Sequence, residues 1–158
     1  MDATALKPTG PTIGTEQCLA FLLGGQPHAV PILSVQEIRR YSAPTPLPGA
    51  PPYVLGLINL RGTVVPVFDL RMRFGAHSPA YDRLTVIVIV VVGERHVGIV
   101  ADDVSRVITL DPAQLRPSPP LAAHIDTSFV RGLLRDGEDL VTLLDVEGLL
   151  GPDLGNLV

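Results

Sequence analysis

Two aspartates occupy matching places in two similar stretches of the chain, and one carboxylate per half is a pattern that can do chemistry. Val54 to Gly75 falls on Val130 to Gly151 with a constant shift and no gap, so Asp69 meets Asp145, Gly56 meets Gly132, Val65 meets Val141 and Gly75 meets Gly151. A pair of carboxylates drawn from two lobes can share a proton and activate water, as in two-lobed aspartic proteases. Those enzymes follow each Asp with Ser or Thr and then Gly. Here Leu70-Arg71 and Val146-Glu147 follow, and the one similar tripeptide, Asp126-Thr127-Ser128, lacks the Gly. Capping a following helical turn suits both aspartates better, because a side-chain oxygen there accepts from free backbone N–H groups.

Other chemical groupings are sparse. His28, His77, His96 and His124 have no ligand-type spacing to each other or to Cys18, so no metal site is expected. There is no Gly-x-Ser-x-Gly elbow, no phosphate loop and no dinucleotide fingerprint, and no cofactor is expected. Cys18 lies in an apolar run without a neighbouring base or cation and reads as buried filler. The expectation is therefore a protein that is not an enzyme. The alternative is a two-lobed β-barrel that binds a small ligand or hydrolyses one.

The duplication sorts the remaining polar residues. Asn59-Leu60-Arg61-Gly62 in the first copy becomes Arg135-Asp136-Gly137-Glu138 in the second, which reads as an ordinary polar turn. What only one copy keeps is not demanded by the shared fold, so Arg61 is a candidate for function. Ser34-Val35-Gln36-Glu37 fits a capping box, which predicts a short helix through about Arg39 and gives Glu37 a structural role.

The elements that position these residues follow from periodicity and turn residues. Cys18 to Leu23 is apolar throughout and predicts a strand covered on both faces, with Gly24-Gly25-Gln26 turning it into His28 to Ile32. Pro31 confines the second strand to an edge or its end. Pro44, Pro46, Pro48, Pro51 and Pro52 make an extended crossing. A hairpin of Val54 to Leu60 and Thr63 to Phe68 closes around Arg61-Gly62. His77-Ser78-Pro79 is the candidate linker between halves. The second copy repeats the plan: Leu84 to Val92, a turn at Gly93-Glu94-Arg95, His96 to Val100, and Val104 to Leu110. A helical turn at Asp111-Pro112, a longer Pro-rich crossing, and a hairpin around Asp136-Gly137 complete it. Upstream, Ala29 and Val30 correspond to Gly98 and Ile99, and Val35 and Ile38 to Val104 and Val107, with a slightly smaller shift.

Composition agrees. The chain has 158 residues, 46% hydrophobic and 18% charged, with no Trp and 4% aromatic residues, so its core must be built of Val, Leu and Ile. The 15 Gly and 16 Pro residues suit many short strands joined by tight turns. A net charge of −4 without a basic stripe argues against nucleic acid as a partner. The longest apolar run, Val86 to Val92, is too short to span a bilayer. One Cys, and an amino terminus without a signal-peptide pattern, predict a cytoplasmic protein.

Val35-Gln36-Glu37-Ile38, Pro48, the run Gly56 to Arg71 with its Asn-Leu-Arg-Gly and Val-Pro-Val-Phe-Asp-Leu segments, and Gly98-Ile99-Val100-Ala101-Asp102-Asp103-Val104 strongly resemble the CheW-type adaptors of bacterial chemosensory arrays. The resemblance covers about residues 17 to 151. It implies an all-β fold of two SH3-like five-stranded barrels related by duplication. The expected organisation is a flexible lead-in over 1–14, one domain over 15–151, and a tail over 152–158. The first barrel is placed at about 17–75 and the second at about 84–151, with strand exchange between them allowed. The resemblance further implies a scaffold joining the cytoplasmic tip of methyl-accepting chemoreceptors to the regulatory domain of the histidine kinase CheA, with self-association in rings and recruitment to membrane-associated arrays. The family's functional Glu and Arg match Glu37 and Arg61, expected as an ion pair, while Val35, Ile38, Val86 and Val104 are candidates for the wall of a receptor groove. The chain shows no receiver domain of the CheV-type relatives, and its Pro- and Ala-rich residues between Ser42 and Pro52 depart from the pattern.

Overall fold

The computed structural model describes residues 16–73, 79–117 and 130–148. The lead-in, most of the candidate linker, His124, Asp126 to Ser128 and the tail lie outside them. Among the described residues ten strands run in chain order: β1 Glu16–Leu23, β2 Gln26–Pro31, β3 Val35–Arg40, β4 Val54–Leu60, β5 Thr63–Phe68, β6 Val86–Val92, β7 Arg95–Ala101, β8 Asp103–Leu110, β9 Val130–Asp136 and β10 Asp139–Leu144. A single helical turn, α1 Leu70–Arg73, follows β5.

The chain is all-β, with two five-stranded sheets of SH3-like build ordered β8-β1-β2-β10-β9 and β3-β6-β7-β5-β4. Neither sheet is made by one half alone. β1 and β2 of the first half join β8, β9 and β10 of the second, while β6 and β7 join β3, β4 and β5. The exchange is regular to the residue. β5 runs parallel to β7 with Val67 opposite Gly98 and Phe68 opposite Ile99; β10 runs parallel to β2 with Leu143 opposite Ala29.

Strand burial explains the apolar runs. In β1, Cys18 and Ala20 enter one core cluster, whereas Leu19, Phe21 and Leu23 enter another. In β6, Ile87 and Ile89 face the interior of their own barrel, and Val88, Val90 and Val92 face the shared cluster. That cluster takes residues from both sheets, including Phe21, Phe68, Val90, Ile99 and Leu144, and forms the seam between the barrels. Both strands are interior to their sheets, and each is covered on two faces, which is why alternation is absent from their sequences.

One local expectation is overturned. Ser34 to Arg39 is not a helix: a three-residue 3-10 turn, Ile32–Ser34, precedes β3, and β3 pairs antiparallel with β6 through Glu37–Ile89, Ile38–Val88 and Arg39–Ile87. Cross-strand pairing overrides the local capping signal, and the Glu37 carboxylate that would close the box accepts instead from Arg61.

Cys18 is fully buried, and burial, followed by the nearby charge of Glu16, pushes its thiol up to about 11. Iodoacetamide at about pH 8 is therefore expected to leave the native thiol unmodified and to label it after denaturation, read by mass spectrometry. Rapid labelling of the native protein would contradict its place in the core.

Candidate functional site

A polar corner forms where the edge strand β3 meets the tip of the β4–β5 hairpin. The tip is a two-residue turn with positive φ at both positions, Arg61 at 51° and Gly62 at 90°, as the right-handed twist of hairpins favours. Asn59 fixes it: its Oδ1 accepts from the Gly62 N–H at 2.7 Å. Thus Arg61 is the described non-glycine residue with positive φ, a conformation disfavoured for any side chain with a Cβ. Its guanidinium donates to Glu37 Oε1 and forms an ion pair with it. The Arg61 hydrogen bond holds the Glu37 carboxyl below its usual range, and Glu37 in turn raises Arg61. The Arg61 side chain is 66% exposed and that of Glu37 28%, so the pair faces solvent and contributes little to folding.

The aligned position in the second copy, Gly137, has φ 64°. Glycine meets that backbone requirement without strain. Arg61→Gly is therefore expected to melt at or above the wild-type temperature by circular dichroism despite losing the ion pair, while a marked drop would assign Arg61 to the fold.

The other four candidates divide. Ile38 is 43% exposed and neighbours Glu37 along β3. Val35, Val86 and Val104 are half-buried and pack against the seam. Val35 and Val86 stand at opposite ends of the β3–β6 ladder, opposite Val90 and Arg40, while Val104 on β8 lies opposite Phe21.

The second corner is more than an ordinary turn. Arg106 occupies on β8 the place that Glu37 has on β3, and it pairs with Asp136 at the tip of the β9–β10 hairpin and with Asp139 at 3.4 Å. Both halves therefore tie an edge strand to a hairpin tip by an ion pair, with the charges exchanged. The constant shift hides this because it aligns Arg61 with Gly137, whereas the acid sits one residue earlier.

The paired aspartates are accounted for locally. Asp145 Oδ1 accepts from the Gly148 N–H at 3.2 Å. Asp69, fully buried, accepts from the Arg71 N–H at 3.1 Å, from Arg71 Nε and NH2 at 2.9 and 2.8 Å, and from the Tyr81 hydroxyl at 2.7 Å. Arg71 also donates to Asp102 Oδ1 at 2.7 Å and to the Ala80 carbonyl at 3.0 Å. Burial alone would lower the Arg71 guanidinium, but hydrogen bonds and charge from Asp69 and then Asp102 raise it above its ordinary value. With both oxygens engaged by Arg71 and the Tyr81 hydroxyl, Asp69 has a structural role at this position. Among the described residues no group of three His, Cys, Asp or Glu side chains could hold a metal ion, and no helix is long and apolar enough to cross a membrane.

The described residues thus form two SH3-like barrels related by duplication, with exchanged strands, an apolar seam and charged corners. The chain belongs to the family with a CheW-like domain, whose model matches residues 17–152. It is 41% identical over 151 residues to the chemotaxis protein CheW of Klebsiella aerogenes, covering 96% of this chain and 90% of that protein. It is 36% identical to the chemotaxis protein CheW of Rhizobium meliloti, over 87% of this chain and 89% of the relative. The crystal structure of the scaffolding protein TtCheW from Thermoanaerobacter tengcongensis superposes with a TM-score of 0.76 at 30% identity, covering 82% of this chain and 88% of that one.

Proposed function

We propose that this chain is a non-enzymatic cytoplasmic adaptor that couples the tip of methyl-accepting chemoreceptors to the regulatory domain of the histidine kinase CheA within a chemosensory array. The observation that carries this reading is the Glu37–Arg61 corner, where a mostly exposed guanidinium occupies a backbone conformation better served by glycine. A disfavoured backbone that contributes little to stability is explained when the side chain it presents is used. Membership of a family whose relatives carry the names chemotaxis protein and scaffolding protein supports the array as the setting. Ile38 beside the corner, together with Val35, Val86 and Val104 along the seam, supplies apolar surface for a helical hairpin. Self-association of the adaptor in rings belongs to the same reading, since modest interfaces hold an array through multivalency.

The test is a pull-down of the purified protein with the regulatory domain of a co-encoded histidine kinase, beside Glu37→Ala and Arg61→Gly. The wild type is expected to be retained and both variants, folded by circular dichroism, to be retained less. Equal retention of all three would remove the corner from the interface, and no retention of the wild type would remove the kinase as a partner.

A further inference from the structure

The fold repeats about a pseudo-twofold relation, but among the described residues the seam between the sheets is fastened by an ion pair at one end only. The chain crosses from one sheet to the other by two short steps. At one end β7 finishes at Ala101 and β8 begins at Asp103, so the crossing is Asp102 alone. Its N–H donates to the Leu22 carbonyl at 2.8 Å, and its Oδ2 accepts from the Gly25 N–H at 2.8 Å. These contacts hold it to the β1–β2 hairpin of one sheet. Its Oδ1 accepts from Arg71 at 2.7 Å, which follows β5 of the other. Tyr81, under the Arg71 guanidinium at 5.1 Å and stacked on Tyr41 at 4.6 Å, completes the fastening.

The matching crossing, from β2 to β3, is built differently. It runs through the three-residue turn Ile32–Ser34, and the residue in the place of Asp102 is Leu33, 94% exposed. Glu147, in the place of Arg71, is also exposed. Between the two ends the seam is apolar. Apolar packing is non-directional and permits small sliding of one layer on another, whereas charge-assisted hydrogen bonds fix geometry.

We infer that Asp102, clasped by Arg71, is a fixed pivot about which the relative orientation of the two barrels changes, and that the Ile32–Ser34 turn is the compliant end that takes up the displacement. The pivot is a device of the fold and does not depend on which partner binds.

Spin labels on Val64→Cys in β5 and Leu140→Cys in β10 report it. These are matching positions on opposite sheets, 61% and 55% exposed, and the buried Cys18 does not take label. Electron–electron dipolar spectroscopy is expected to give a compact distance distribution for the otherwise unaltered protein and a broadened one for Asp102→Ala. Asp102→Asn, which keeps an acceptor for Gly25 but removes the charge facing Arg71, is expected to fall between them. Leu33→Ala is expected to leave the distribution as it was. An unchanged distribution in folded Asp102→Asn, or equal broadening by Leu33→Ala, overturns the pivot, and Asp102→Asn decides the matter if Asp102→Ala does not fold.

Discussion

Arg71→Met is expected to lower folding stability by about 3–5 kcal/mol, the usual cost of removing one partner from a buried ion pair. Asp69 has no exposed surface and Arg71 is 5% exposed, so the donors lost to Asp69 are removed from a buried site. Methionine fills much of the same volume but leaves Asp69 with the Tyr81 hydroxyl and one backbone N–H, and leaves the Ala80 carbonyl without its Arg71 donor. Since a domain of this kind is stable by roughly 5–15 kcal/mol, the variant should sit near the edge of folding at ambient temperature. Urea titration followed by circular dichroism measures the loss. A change under about 1 kcal/mol, the range of exposed pairs, would show that the cluster is not anchored as described.

Gly56→Ala is expected to be nearly as damaging, at roughly 3 kcal/mol, because overpacking combines with lost hydrogen bonds. A Cβ at position 56 would lie 1.9 Å from the Thr45 carbonyl oxygen, and its φ of 145° disfavours a side chain. Relief requires Thr45 to move. Thr45 is tied to Leu57 by two backbone hydrogen bonds of 2.8 Å, which bring the Pro-rich crossing against β4. A Cβ at the matching Gly132 would lie 2.6 Å from the Arg116 carbonyl oxygen, so Gly132→Ala should follow the same course with a smaller loss. Equal stability of Gly56→Ala and wild type would mean that the crossing is not held against β4.

These glycines show why the duplication was legible. Gly56 and Gly132 each permit a crossing to approach an edge strand, and Asp69 and Asp145 each accept from an N–H two or three residues on, so the fold required the same residue types twice. The hairpins were legible for a similar reason, their turns and apolar runs being local. β3 was not, because Ser34 to Glu37 carries a valid helix-start signal that loses only to pairing with β6. The exchange of β1–β2 and β6–β7 between sheets is not legible in the sequence, since nothing within a strand says which half will accept it. The role of Arg71 is not legible for the same physical reason: its second carboxylate, Asp102, is remote in sequence and arrives only with the crossing. The Arg106–Asp136 pair is not legible either, because its partners lie 30 residues apart on an edge strand and a hairpin tip that only the fold brings together. By contrast, Glu37 and Arg61, matched through the family resemblance, are brought together by β3 and the β4–β5 turn.

The most direct measurement of coupling immobilises a receptor-tip hairpin and asks whether the kinase regulatory domain is retained on it with and without this protein. If the chain is an adaptor, the regulatory domain should be held only when the protein is present, in a complex containing all three components. Arg61→Gly should retain less of it. Competition between receptor tip and kinase domain for the same molecule, or equal retention of the kinase domain in its absence, would contradict a coupling role.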